Sequence, residues 1–166
     1  MATNSVAAEP VVFGESTALD EDQELLVAVS ARLRRLNMIV LRDLETSLTF
    51  RQYRTLARVA GGYTSLGQLA ARANLTLPTV SETVDGLVRR RLMETRPSDL
   101  DRRAIVLRVT DAGAAAAAAG DQAMRGVVET LTRDLSDDKR AQLTESLQIV
   151  YEAATRYFTE NLNGKP

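Results

Sequence analysis

The sequence predicts a mainly α fold with one small β-hairpin. Three patterns carry that prediction. Apolar residues recur at helical spacing over two long segments toward the ends of the chain. Side-chain caps ahead of apolar periodicity mark further helix starts between them. A turn-forming segment, Pro97-Ser-Asp-Leu-Asp101, separates two short β-prone runs. The 166 residues suffice for one domain with a hydrophobic core.

In chain order, residues 1–19 have neither the basic start nor the apolar segment of a secretory signal and read as a flexible arm. A long helix is expected from Asp20 to about Glu45, with Asp20, Glu21, Asp22 and Glu24 suited to its positive N-terminal end. Leu26, Val29, Leu33, Leu36 and Val40 step by 3, 4, 3 and 4, a narrow apolar seam of coiled-coil type. Thr49 and Gln52 form a capping box that opens a second helix, stopped by Gly61-Gly62. Ser65 and Gln68 form another, opening a short helix from Leu66 to about Ala73, with Asn74 at the left-handed position that ends it. Thr76 caps the next helix, Pro78 fits its first turn, and the helix runs to about Arg90. Leu92–Arg96 and Ile105–Val109 have strand character. Thr110 caps a helix from Asp111 to about Asp134, whose run Ala114–Ala119 reflects strong helix propensity. Ser136 caps the last helix, to about Asn161, where Leu143, Leu147, Val150, Ala154 and Phe158 step by 4, 3, 4 and 4.

The chain has no cysteine and no histidine. Disulfides, thiol redox sensing and imidazole acid–base or nucleophilic triads are therefore excluded, and a zinc site would need carboxylates alone. No cluster of Asp, Glu, Lys, Ser or Tyr suggests catalysis, and no cofactor or metal is expected. No apolar run approaches the roughly 20 residues of a membrane span, so a cytoplasmic protein is expected.

Net charge is −1, but its distribution is uneven. Ser47 to Val109 holds 11 Arg against five acids, Glu82, Asp85, Glu94, Asp99 and Asp101, a local +6. The rest holds ten basic and 17 acidic residues, or −7. A basic middle between acidic ends is the asymmetry expected when one part meets phosphate.

Two short helices joined by about three residues, followed by strand, loop and strand, form a helix-turn-helix with a wing, whose second helix reads the major groove. On that helix Val80, Val84, Leu87 and Val88 fall on one side, toward the core, while Pro78, Glu82, Asp85 and Arg89 fall opposite, flanked by Thr79 and Ser81. The turn from Thr76 to Glu82 is thus expected at base edges, and Arg89 and Arg90 at backbone phosphates. Glu82 has two readings: it accepts from cytosine N4, or it pairs with a nearby arginine.

These residues resemble the MarR family of bacterial regulators. The resemblance rests on Leu48-Thr-Phe-Arg-Gln-Tyr-Arg-Thr-Leu56, Leu69-Ala70, Pro78-Thr-Val-Ser-Glu-Thr-Val-Asp-Gly-Leu87, Asp101-Arg-Arg-Ala-Ile-Val-Leu107, Val109-Thr-Asp-Ala-Gly113 and Leu135-Ser-Asp-Asp-Lys-Arg-Ala-Gln-Leu143. It departs from the family at Arg91, where Gly is usual before the wing strand, and at Gly86 inside the recognition helix.

The resemblance implies a winged helix-turn-helix (residues 47–110) flanked by long dimerisation helices (20–46 and 111–162), all in one domain, 20–166. It implies a homodimer on a palindromic operator in double-stranded DNA. The dimer seam would be Leu26, Val29, Leu33, Leu36, Leu147, Val150 and Phe158. In the wing, Arg103 would reach the minor groove, with Arg102 and Arg96 beside it. Asp85 would pair with a wing arginine and, with Asp101, orient the wing. The expected function is a transcriptional regulator, a repressor released by a small-molecule effector, with Arg34, Arg35, Arg42 and Tyr53 as candidates to line its pocket. An activator and a DNA-independent interaction module are the alternatives, and an enzyme is not expected.

Overall fold

The computed structural model describes residues 19–97 and 105–161. Within them the elements run α1 (Glu21–Arg42), α2 (Phe50–Ala60), α3 (Leu66–Ala73), α4 (Leu77–Arg89), β1 (Met93–Pro97), β2 (Ile105–Val109), α5 (Asp111–Thr132) and α6 (Asp137–Asn161). The wing strands pair antiparallel, with Met93 opposite Val109 and Pro97 opposite Ile105. The mainly α fold with a β-hairpin is as the sequence predicts. Two compact units divide the chain, one up to Arg35 and one from Leu36. In the first, the N-terminal part of α1 carries Glu21, Asp22 and Glu24 in its first turn. Its Leu25, Leu26, Val27, Val29 and Leu33 are exposed.

Among the described residues, the second unit holds one buried apolar cluster. Leu41, Leu48, Leu56, Leu69, Leu87 and Met93 are its most deeply buried large side chains. α2 is the hub, packing on α4, α5, α3 and β2. The capping boxes of α2 and α3 form as the sequence predicts, at Thr49 with Gln52 and at Ser65 with Gln68. Helix α1 ends at Arg42, three residues short of the expected Glu45. Leu41, Leu44 and Leu48 keep helical spacing, which is why periodicity carries the prediction further. The chain turns back instead, and the Leu48 N–H donates to Leu41 O at 2.9 Å.

Three helices end in one way. The N–H five residues past a carbonyl in the last turn donates back to it: Tyr63 to Arg58 O, Leu75 to Ala70 O and Leu92 to Leu87 O. Each such end needs one left-handed residue. Gly62 (φ 100°), Asn74 (φ 52°) and Arg91 (φ 58°) fill the three places. Gly and Asn accept this backbone readily, and arginine does so only with strain. Arg91→Gly is accordingly expected to stabilise the protein by about 1 kcal/mol, read as a rise of about 2–4 °C in the thermal midpoint. Gly86, the other departure, is not forced by space. A Cβ there would meet only the Arg89 and Gln52 side-chain ends, at 3.8 and 3.9 Å.

Candidate nucleic-acid interface

The recognition helix is built by local chemistry. Thr76 stands in extended backbone ahead of α4, and its Oγ1 accepts from the Thr79 N–H at 3.4 Å. The two threonine hydroxyls also bond each other at 2.9 Å. Pro78 occupies the first turn, where its missing N–H costs nothing. Val80, Val84 and Leu87 are buried and Val88 half-buried. Thr76, Pro78, Glu82, Asp85 and Arg89 are exposed, with Thr79 and Ser81 half-buried between the faces. The helix therefore presents the side that the sequence assigns to solvent.

Glu82 lies in a cleft with Thr49, Arg51, Gln52, Thr83, Gly86 and Arg89, between the start of α2 and α4. Among the described residues it forms no ion pair, so neither Arg51 nor Arg89 neutralises it. Asp85 likewise has no cationic partner among the described residues. Arg90, expected at a phosphate, is exposed and reaches toward the start of α2. Its guanidinium donates to Ser47 O at 2.7 Å and to Gln52 Oε1 at 3.3 Å. That same Oε1 closes the α2 capping box on the Thr49 N–H at 3.0 Å. The end of the recognition helix is thus tied to the beginning of α2.

Arg96 is exposed on β1 and paired with Glu94, Nε to Oε1 at 2.8 Å. An exposed pair of this kind contributes about 0–1 kcal/mol. Asp101, Arg102 and Arg103 lie outside the described residues. The base of the wing is fixed from two sides. The Leu107 N–H donates to Thr64 O at 2.8 Å, adding the loop before α3 to the sheet edge. Thr110 donates through its N–H to Leu92 O at 3.2 Å and through its hydroxyl to Arg91 O at 2.8 Å. The same hydroxyl caps α5 by accepting from the Gly113 N–H.

Two exposed residues here escape the sequence reading. Leu77, at the first position of α4, is 54% exposed. Its helical phase places it with Val80 and Val84, but the core stops short of that turn. Arg51 sits on the opposite wall of the Glu82 cleft and belongs to a different helix, so no spacing rule connects them.

Tyr53 links α2 to α5 through a hydrogen bond from its hydroxyl to Asp121 Oδ1. Burial, and then the Asp121 carboxylate, push its hydroxyl up to about 12, against smaller opposing effects of Arg54 and Arg125. Unfolded, Tyr53 ionises near 10. Between these values the folded state holds the extra proton, so stability falls as pH rises through that window. Tyr53→Phe is expected to flatten this alkaline loss and to cost about 1–2 kcal/mol at neutral pH, where Asp121 loses its donor. Urea midpoints at about pH 9 and about pH 11 check both.

Fold and site together define the winged helix-turn-helix class: a capped helix pair, a recognition helix with an exposed polar N-terminal turn, and a hairpin anchored at its base. Within it, residues 46–104 match the model of the MarR family. Among curated proteins none matches the chain. Among solved structures, a mutant MarR from Escherichia coli is 22% identical, covering 82% of this chain and 99% of its own, with a TM-score of 0.67. FabT of Streptococcus pneumoniae, in complex with DNA, is 19% identical, covering 80% and 94%, with a TM-score of 0.71. The mutant MarR complexed with operator DNA is 24% identical, covering 76% and 91%, with a TM-score of 0.61. At these identities the likeness shows the fold. Among the described residues no group of His, Cys, Asp or Glu could hold a metal ion, and no helix is long and apolar enough to cross a membrane.

Proposed function

We propose that this chain is a dimeric, sequence-specific DNA-binding transcriptional regulator, a cytoplasmic repressor released by a small molecule. The observation that carries the reading is the exposed N-terminal turn of α4, inside the segment that matches the MarR family. Thr76, Pro78, Thr79, Ser81 and Glu82 would meet base edges, and Arg89 a phosphate. Arg96 would exchange its weak pair with Glu94 for DNA, and Arg102 and Arg103 would enter or flank the minor groove, with Asp85 and Asp101 setting the wing. Two structures of similar fold hold DNA, which supports this docking.

Dimerisation is supported by uncovered apolar seams on both terminal helices. Leu26 is 48% exposed, Leu147 56% and Phe158 53%, and Val29, Leu33 and Val150 are also open to solvent. Leu36 is half-buried. The reading divides the chain as its sequence does, into an arm (1–19), a winged part (47–110) and dimerisation helices (20–46 and 111–162). The paired recognition helices would then enter successive major grooves about 34 Å apart. For the effector, a cleft lined by Met38, Arg42, Leu48, Phe50 and Arg90 offers cationic and aromatic walls. A ligand that drew Arg90 away from Ser47 would loosen the recognition helix. Glu82, exposed and without an ion pair among the described residues, and the near-neutral net charge of −1 are what favour a DNA-independent interaction module.

Footprinting on the DNA flanking its own gene separates these readings. The expected result is a protected palindrome whose occupancy falls steeply with salt. Absence of salt-dependent duplex binding overturns the DNA reading, and a monomer at micromolar concentration overturns the dimer.

A further inference from the structure

The exposed face of α2 carries an uncompensated cluster of positive charge. Arg54 and Arg58 stand four residues apart on it, and Arg72, in the last turn of α3, is close enough for its charge to act on Arg58. Neither helix contains an acidic residue. Among the described residues none of the three arginines enters an ion pair.

Arg58 is the centre of the cluster. It is half-buried, and its Nε is shut off from solvent with no hydrogen-bond partner. Burial, then the charges of Arg54 and Arg72, disfavour its cationic form, and nearby Tyr63 opposes them. Tyr63 is held at this spot because its N–H donates to Arg58 O at 3.1 Å. A guanidinium does not give up its proton in a protein, so the repulsion stays. A buried donor without an acceptor is costly. Arginine forks suit an anion with several oxygens, and three of them outnumber the two oxygens of one carboxylate.

We infer that Arg54, Arg58 and Arg72, edged by Tyr63, form a binding site for one phosphate-type oxyanion. The inference does not rest on the reading of α4 as a DNA-recognition helix. The oxyanion has two sources, a free phosphate or phosphate monoester, and a phosphodiester of a duplex.

The test uses the full chain at fixed protein concentration, with inorganic phosphate as the probe against chloride at matched ionic strength. At about tenfold excess over its dissociation constant, phosphate is expected to raise the thermal midpoint of the wild type by about 3 °C more than that of Arg58→Met. The comparison with the variant removes the general stabilising effect of phosphate as a salt. Arg58→Met keeps an apolar stem and removes the orphaned donor, so it unfolds at a higher temperature than wild type in chloride. Arg72→Gln gives the same loss of response should Arg58→Met fail to fold, and Arg133→Gln, away from the cluster, retains the response. Salt titrations against a 30-bp duplex identify the source. A slope reduced by about one in Arg58→Met assigns the oxyanion to the DNA backbone. An unchanged slope with a lost phosphate response assigns it to a free anion. If both variants respond to phosphate as wild type does and bind the duplex with its slope, the site does not exist.

Discussion

Gly113→Ala is expected to lower the thermal midpoint by about 10 °C, the equivalent of about 3 kcal/mol or more in a chain of this size. The reason is a backbone contact. A Cβ at position 113 would lie 1.9 Å from the Leu92 carbonyl oxygen and 2.9 Å from the Val109 side chain. The first atom belongs to the start of the wing and cannot swing aside as a side-chain end does. Leu92 O also accepts from the Thr110 N–H, so moving it breaks the bond that fixes α5 to the wing. The substitution therefore separates α5 from the base of the hairpin as well as straining the core. Gly126→Ala in the same helix is the control. Nothing lies within 4 Å of its Cβ, and it should gain up to about 1 kcal/mol from helix propensity. Chemical denaturation of both variants decides the matter. Gly113→Ala as stable as wild type would mean that α5 and the wing are not packed as described.

What the sequence makes legible is local chemistry. Thr49 with Gln52, Ser65 with Gln68, Thr76 with Pro78, and Asn74 each specify a helix end through atoms a few residues apart, and each end falls where expected. The core face of α4 is legible too, because Val80, Val84 and Leu87 share one helical side. What escapes reading depends on atoms far apart in the chain. Arg90 meets Ser47 O across 43 residues, a contact that no local spacing shows. Arg91 adopts a left-handed backbone because the bonds to Leu87 and Val88 require it, although its side chain argues against it. Gly113 belongs to a recognisable stretch, but its need to be glycine comes from Leu92 on another element. The Glu82 cleft joins two helices 30 residues apart, and periodicity on one of them cannot show what faces it from the other.

Replacing both Arg102 and Arg103 by alanine is expected to weaken duplex binding about 100-fold or more and to reduce the salt slope by about 1–2. Their sequence context, Asp101-Arg-Arg, follows β1 and precedes β2, and the strand register sets where that segment departs. With Pro97 opposite Ile105, both strands end together, so the intervening residues leave from one end of the hairpin. The opposite end is clamped by Thr110 to Arg91 and Leu92, immediately after the recognition helix. A hairpin held at that end transmits the orientation of α4 to whatever its far end carries. If an arginine there enters the minor groove, its loss removes both a charge and a groove contact, and affinity falls for every sequence with a further loss at A·T-rich flanks. If both arginines only face phosphates, affinity falls uniformly and the slope change is the whole effect. Thr110→Ala tests the same clamp from its other side. It leaves every DNA-facing charge in place, so any loss of affinity comes from a freed wing, while its own stability cost is about 1–2 kcal/mol for the lost cap. Unchanged binding in the double arginine variant, with wild-type protein binding the same duplex, would remove the wing from the interface and leave α4 to read DNA alone.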